Sequence, residues 1–222
     1  MEKSSNSQDY ETFLLLAEGA EAEIVEKKSR FIATVRPVAS EAEAEAFIEE
    51  MKKKYYDARH NCSAFVIGDR AQTTRSSDDG EPSGTAGRPM LEVLLGSGIR
   101  NAAVVVTRYF GGTLLGTGGL VRAYSGAVKE ALEKCVVSRQ QFGVRFTVRT
   151  DYNSVGKMQY LFAGSNVKIE DSVYGADVVM TVTAPIETYG HLCKEITEAT
   201  SGRAEITELA RLYFSMEREE KR

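Results

Sequence analysis

The chain has 222 residues, a length that corresponds to one large domain or two small ones. Apolar residues make up 42% and charged residues 27% of the sequence, which excludes a disordered chain, a collagen-like repeat and a disulfide scaffold. With a net charge of −4, the protein does not coat nucleic acid through bulk charge. The apolar runs are too short for a membrane span, the N-terminus lacks a signal-peptide pattern, and the three cysteines lack paired spacing. We therefore expect a cytoplasmic protein.

In the first half of the chain, the hydrophobic pattern predicts strands alternating with helices. Apolar residues with a period of two indicate an extended segment over residues 22–37, and Ser40 with Glu43 forms a capping box before a helix. The polar, turn-rich stretch 69–83 is predicted to be a loop. Apolar runs and helical spacing predict four further elements, which are strands at 61–68 and 101–107 and helices at 90–95 and 117–134.

The second half has a clearer alternation of elements. The predicted order is a strand at 142–149, a helix capped by Asn153, strands at 167–173 and 178–184, a helix after Pro185 and a last strand ending near Phe214. This βαββαβ order is typical of the ferredoxin-like arrangement, in which two helices pack on one antiparallel sheet. We therefore predict two domains, 1–137 and 138–222, in a protein of the α+β class.

Glycines concentrate in the middle of the chain, in two segments that each lead into a predicted helix. Ten of the nineteen glycines lie between Gly80 and Gly119, and residues 84–129 carry five basic side chains against one acidic one. Glycines let the backbone approach a ligand closely, and the N–H groups of a first helical turn favour anions. The candidate anion- or RNA-binding residues are Ser83, Gly84, Thr85, Gly87 and Arg88 in the first segment and Arg108, Gly111, Gly112, Thr113, Gly116, Thr117, Gly118, Gly119 and Arg122 in the second. The alternative is that the glycines serve tight turns and close helix packing.

Other kinds of site have weaker support in the sequence. The Gly-rich segments lack the Gly-Lys-Ser/Thr of a P-loop and the glycine spacing of a dinucleotide-binding fingerprint. Each of the two histidines, His60 and His191, precedes a cysteine by two residues, and two ligands do not make a zinc site. A Cys62–His60 catalytic pair is weakly supported, so no catalytic residue, metal or cofactor is assigned.

Three stretches of this sequence closely resemble the YigZ/IMPACT family. They are Lys28–Ala33 (KSRFIA), Asp79–Gly87 (DGEPSGTAG) and Thr107–Tyr124 (TRYFGGTLLGTGGLVRAY), and His60 stands where the family motif has its histidine. The resemblance is strong over residues 20–134, whereas the remaining part looks like the extra C-terminal domain of bacterial members. The motifs are longer and more specific than a generic Gly-rich loop.

The resemblance implies a fold and a cellular context. The N-terminal domain is expected to have the left-handed βαβ-type fold of a small-subunit ribosomal protein, GHMP kinases and domain IV of elongation factor G. The C-terminal domain is expected to be similar to domain V of that factor. Eukaryotic members regulate translation initiation by competing for a scaffold that activates a stress kinase. The family brings no established catalytic residues that this chain can inherit.

Two classes of function follow from these observations. The first is a non-catalytic, translation-linked regulator that binds RNA or a ribosomal surface through its Gly-rich, Arg-bearing face, assisted by a secondary basic face at Arg145 and Arg149. The second is an enzyme or sensor that uses the same loops for a small phosphorylated ligand. We expect no membrane partner.

Overall fold

The computed structural model describes residues 10–215, which form two compact units. One unit consists of Phe13–Arg139, and the other consists of residues 140–215 together with residues 10–12. Both are built of strands and helices, so the predicted α+β class is confirmed. No helix within residues 10–215 is long and apolar enough to span a bilayer.

The first unit is a sheet with helices on both faces. Its elements are, in chain order, β1 (Phe13–Glu18), β2 (Glu21–Glu26), β3 (Ser29–Pro37), α1 (Glu41–Lys54), β4 (His60–Ile67), β5 (Thr73–Ser77), α2 (Gly87–Gly96), β6 (Ile99–Arg100), β7 (Ala102–Tyr109) and α3 (Thr117–Leu132). The sheet has the order β2–β3–β7–β4–β5 with all neighbours antiparallel, and β1 pairs separately with β6 in parallel.

Strand β7 lies at the centre of this sheet and is buried on both faces. Ala103 and Val105 belong to the core formed with α1, whereas Val104 and Val106 belong to the core formed with α2 and α3. A strand that is covered on both faces has no solvent-facing positions, so its sequence is continuously apolar instead of alternating. The N-terminus of α1 follows the predicted capping box, because the Ser40 side chain accepts a hydrogen bond from the Glu43 N–H.

Residues 22–37 form a hairpin rather than one extended segment. The strands β2 and β3 are joined at Lys27 and Lys28, whose φ angles of 45° and 66° are left-handed. Two such residues suit a two-residue hairpin turn, but lysines carry none of the Asn-Gly or Gly-Gly signals that would reveal it in a sequence. The prediction of a single extended segment was therefore wrong.

The stretch 69–83, predicted to be a loop, contains the edge strand β5. Four of its five residues are exposed, and it pairs only with β4. An edge strand with little buried surface lacks the apolar alternation from which strands are recognised. Two further differences from the prediction are the strand β1, which the pattern missed, and the start of α2 at Gly87.

The second unit has the ferredoxin-like fold that its element order predicts. It contains β8 (Val136–Thr150), of which residues 136–139 belong to the first unit, and then α4 (Tyr152–Gly164), β9 (Lys168–Tyr174), β10 (Val178–Pro185), α5 (Ile186–Ala199) and β11 (Glu205–Phe214). The strand order is β11–β8–β10–β9, with every neighbour antiparallel. The N-cap of α4 is Asp151, which accepts from the Ser154 N–H at 2.9 Å, and not the predicted Asn153.

A glycine substitution tests how closely the hairpin approaches the loop after β7. A Cβ atom at Gly111 would lie 2.0 Å from the carbonyl carbon of Lys28, so we expect Gly111→Ala to destabilise the first unit by about 1–3 kcal/mol through overpacking. Gly96→Ala is the matched control, because nothing lies within 4 Å of its Cβ position. It should be neutral or slightly stabilising in urea denaturation. Equal stabilities of the two variants would contradict this packing.

Candidate functional site

The two Gly-rich segments meet at the buried side chain of Glu81. Its Oε1 accepts hydrogen bonds from Arg108 Nη1 at 2.6 Å and from the Tyr124 hydroxyl at 2.7 Å. The side chains of Glu81 and Arg108 are only 3% and 8% exposed. Arg108, predicted from the sequence to bind an anion, is thus held by a carboxylate of the protein itself. Glu81 was not recognised as its partner, because the two residues lie far apart in sequence.

Strand β4 holds the residues before Glu81 in place. Asp79 receives two bonds from this strand: its carboxylate accepts from the Asn61 N–H at 2.7 Å, and its carbonyl oxygen lies 2.9 Å from His60 Nδ1. The Cys62 thiol donates to the carbonyl oxygen of Asp78 at 2.9 Å. These contacts link the first Gly-rich segment to the centre of the sheet.

Burial keeps the thiol and the phenol of this region protonated. It raises the pKa of Cys62 to about 12 and raises the pKa of Tyr124 well above its ordinary value. A protonated thiol is a poor nucleophile and a poor metal ligand. Across residues 10–215, no three His, Cys, Asp or Glu side chains are grouped in a way that would hold a metal ion.

The N-terminus of α2 is occupied by Asp78. Its carboxylate accepts hydrogen bonds from the N–H groups of Gly84 at 2.8 Å, Ala86 at 3.0 Å and Gly87 at 2.8 Å. Burial raises the pKa of Asp78, but these three bonds outweigh burial, so that its pKa lies below the ordinary value. The anion bound by this helix start is therefore the side chain of the protein itself.

Two of the remaining candidate residues of the first segment have partners within the protein, and a third is exposed. The Thr85 hydroxyl donates to the Pro82 carbonyl oxygen at 2.6 Å. Arg88 forms an exposed ion pair with Glu92 at 3.1 Å. Ser83 is exposed. In this segment, the hydroxyl of Thr85, the guanidinium of Arg88 and the N–H groups at the start of α2 are thus already bonded within the protein.

The N-terminus of α3 is arranged differently. Its N-cap is Gly116, with φ at 72°, and no side chain caps the helix. Arg122 is exposed, and its Nη1 lies 3.6 Å from the position of a Cβ atom at Gly118, so its guanidinium stands beside the first turn. A cavity of about 220 Å³ at this point has two cationic lining residues, Lys27 and Arg122, and one acidic one, Glu26, with Gly119 beside them.

The β2–β3 hairpin supplies positive charge that the sequence reasoning missed. Gly111 packs on the backbone of Lys28, and its N–H donates to the Ser29 hydroxyl at 3.1 Å, so the turn lies beside the second Gly-rich segment. Lys27 and Lys28 are both exposed. We call the exposed residues of this region the loop–α3 surface; they are Lys27, Lys28, Gly112, Thr113, Gly116, Thr117, Gly118 and Arg122.

Glu81, Arg108 and Tyr124 form what we call the Glu81 cluster. A groove of about 600 Å³ lies beside it, at the start of β4 and the end of β7. We call it the β4–β7 groove; its lining residues are Asp57, Arg59, His60, Arg108, Tyr109, Phe110 and Leu114. The Tyr109 hydroxyl donates to the Asp57 carboxylate at 2.8 Å. The aromatic and aliphatic side chains of Phe110 and Leu114 are 54% and 82% exposed. The groove therefore combines apolar surface with cationic side chains.

The secondary basic face of the second unit has much of its charge neutralised. Arg145 Nη2 lies 2.6 Å from Glu170 Oε2, and Arg149 Nη1 lies 3.9 Å from Glu205 Oε2. Both acids lie on the edge strands of this sheet, Glu170 on β9 and Glu205 on β11. The sequence of β8 alone therefore does not reveal that its arginines have acidic partners. An RNA phosphate at this face would compete with these carboxylates for the two arginines.

Replacing Asp78 tests the occupied helix start. Asp78→Asn removes the charge and turns one acceptor into a donor, so we expect a loss of about 1–3 kcal/mol at neutral pH in urea denaturation. Because the folded-state pKa is lowered, this stabilisation is present above about pH 4 and is lost as the pH falls through the folded pKa. The difference from the parent should therefore shrink in acid. Asp171→Asn, an exposed carboxylate bonded to one N–H, should change stability by less than about 0.5 kcal/mol.

Replacing Glu81 tests the buried ion pair. Glu81→Ala leaves the Arg108 guanidinium buried without a carboxylate, and we expect a loss of about 3–5 kcal/mol in the unfolding free energy. Glu92→Ala breaks the exposed pair with Arg88 and should cost at most about 1 kcal/mol. If the two variants lost similar stability, the Glu81 cluster would not be the organising contact that its geometry indicates.

Comparison with known proteins places the chain in a family. Residues 27–132 match the Impact N-terminal domain, and residues 148–203 match a domain described as "Domain of unknown function (DUF1949)". A solved structure titled "Crystal structure of an hypothetical protein" is similar, with a TM-score of 0.57 and 36% identity over 90% of this chain and 98% of that one.

Curated relatives agree with these matches. "IMPACT family member YvyE" of Bacillus subtilis is 40% identical over 198 residues, which cover 89% of this chain and 91% of that protein. "IMPACT family member YigZ" of Escherichia coli is 38% identical over 81% of this chain and 89% of that protein. "Protein IMPACT homolog" of Saccharomyces cerevisiae is 37% identical over 42% of this chain. From the extent of these matches, the chain belongs to the IMPACT family.

Proposed function

We propose that this protein is a non-catalytic, translation-linked regulator in the cytoplasm that binds RNA or a ribosomal surface through the loop–α3 surface. The observation that carries the proposal is the contrast between the two Gly-rich helix starts. The N–H groups at α2 are bonded to Asp78, whereas α3 begins without a side-chain cap. The second of these helix starts therefore offers donors to an external anion.

Three cations support an external phosphate at this position. Arg122 stands beside the first turn of α3, and Lys27 lines the same cavity, with Lys28 next to it in the hairpin turn. Arginine presents a forked set of donors to phosphate oxygens, whereas lysine acts as a compact charge. With a net charge of −4 on the whole chain, such binding is local and involves few phosphates.

A small phosphorylated ligand is the second candidate for the same surface. The cavity of about 220 Å³ beside Lys27 and Arg122 supports this alternative, because its two cations outnumber its one acid, Glu26, and suit a single phosphate group. In this case, a nucleotide or sugar phosphate would stabilise the protein by mass action, by about 2.7 kcal/mol at a hundred times the dissociation constant. RNA binding would instead depend on salt through the release of counterions.

Substituting Arg122 tests the proposed function. We expect Arg122→Ala to weaken co-sedimentation with ribosomes by about ten- to a hundredfold, the equivalent of one lost charge-assisted hydrogen bond of about 1.5–3 kcal/mol. The parent should bind more weakly as salt increases, and Arg122→Ala should lower the salt slope by about 0.7 for a contact to single-stranded RNA. The measurement is a ribosome pelleting assay across a salt series.

Arg88→Ala is the matched control. Arg88 also lies in the first turn of a helix that follows a Gly-rich segment, but it pairs with Glu92 and its helix start is occupied by Asp78. We expect its affinity to stay within about twofold of the parent, because Arg88 lies outside the loop–α3 surface and its charge is already paired with Glu92. If both variants bind like the parent, the loop–α3 surface is not the binding face. If ribosomes and RNA are not bound at low salt while a phosphorylated ligand stabilises the fold, the second candidate replaces the first.

A further inference from the structure

One residue that lines the β4–β7 groove, Arg108, has a buried hydrogen-bond donor without a partner within residues 10–215. Arg108 is 7% exposed and lines the groove, and its Nε has no hydrogen-bond partner among the residues described. The ion pair with Glu81 uses Nη1 and leaves Nε unengaged. A buried donor without an acceptor costs free energy that a ligand with an acceptor atom recovers. An unpaired donor at Arg108 therefore favours a ligand that carries an acceptor.

His60 places a second polar atom at the same position. His60 and Arg108 are directly paired residues of β4 and β7, so their side chains lie on the same face of the sheet. His60 Nδ1 is bonded to the carbonyl oxygen of Asp79, which only accepts, so this nitrogen carries the proton. In the neutral ring, Nε2 is then an acceptor. The two paired residues therefore supply a donor and an acceptor on the same face of the sheet.

The third component of the groove is an exposed aromatic ring. Arg108 Cζ lies 5.6 Å from the centroid of the Phe110 ring, and Phe110 remains 54% exposed although it adjoins this buried guanidinium. Leu114, at 82% exposure, adds a second apolar side chain, and Arg59 is an exposed cation of the lining. The volume of about 600 Å³ is in the range of pockets for small planar ligands.

We propose that the β4–β7 groove accepts one unstacked base of a single-stranded RNA segment. The base stacks on Phe110, its edge pairs with Arg108 Nε–H and His60 Nε2, and Arg59 contacts the adjoining phosphate. Single strands are recognised by stacking bases on aromatic side chains and by hydrogen bonds to their edges, whereas a paired base in a duplex is not available. The inference rests on the proposed function and narrows its ligand to RNA with unpaired nucleotides.

Variants of Phe110 separate stacking from apolar contact. With fluorescently labelled single-stranded RNA of mixed sequence at low salt, we expect Phe110→Ala to weaken binding by about five- to a hundredfold in anisotropy titrations. Phe110→Leu keeps apolar bulk but no ring and should lose nearly as much, whereas Phe110→Trp should bind like the parent. The fully paired duplex of the same sequence should bind more weakly than the single strand and be insensitive to Phe110→Ala.

Controls keep a folding defect apart from a binding defect. Thermal melts check that each variant remains folded, and Tyr160→Ala, which removes an aromatic side chain that is 85% exposed in the second unit, should leave single-strand affinity unchanged. If Phe110→Ala binds the single strand like the parent, the base pocket is overturned. The proposed function then still stands, provided that ribosome binding depends on Arg122.

Two other outcomes also decide the matter. If the parent binds neither ribosomes nor single-stranded RNA, both the proposed function and this inference are overturned. RNA could fail to bind while adenosine or uridine monophosphate raises the melting temperature of the parent and not of Phe110→Ala. In that case the ligand of the groove is a free nucleotide, and the proposal of RNA is overturned.

Discussion

The ion pair between Glu81 and Arg108 is the contact on which the arrangement of the first unit depends. Both side chains are almost fully buried, and each charge needs the other because an unpaired charge in such a place is strongly destabilising. Tyr124 of α3 donates to the same carboxylate oxygen. One carboxylate therefore ties the first Gly-rich segment to the central strand β7 and to helix α3.

This contact determines what remains available for binding. Because Glu81 takes Nη1 of Arg108, the guanidinium is held by the protein itself and is not a free clamp for phosphate. The exposed charges near the second Gly-rich segment are Arg122, the hairpin lysines and Glu26, which lines the same cavity as Lys27 and Arg122. Thr113 of the loop–α3 surface and Leu114 of the β4–β7 groove are adjacent in the loop between β7 and α3, so one loop contributes to both candidate binding regions.

The glycines of the two segments have different physical roles. At Gly87 and Gly111, a Cβ atom would lie within 3 Å of a neighbouring backbone, so close packing accounts for the absence of a side chain. At Gly112 and Gly116, nothing lies within 4 Å, but φ is positive, which favours glycine for conformational reasons. Close packing therefore accounts for some of these glycines and turn conformation for others.

The sequence by itself determined the features that depend on neighbouring residues along the chain. The helical spacing of α1 and its capping box, the apolar run of β7 and the βαββαβ order of the second unit are local patterns, and the structure agrees with them. The tertiary structure decided the rest. Asp78 at α2, Glu81 on Arg108, and Lys27 and Lys28 beside Gly111 are contacts between distant segments. Burial and sheet register create such contacts, and no periodicity within either segment reveals which charge will meet which.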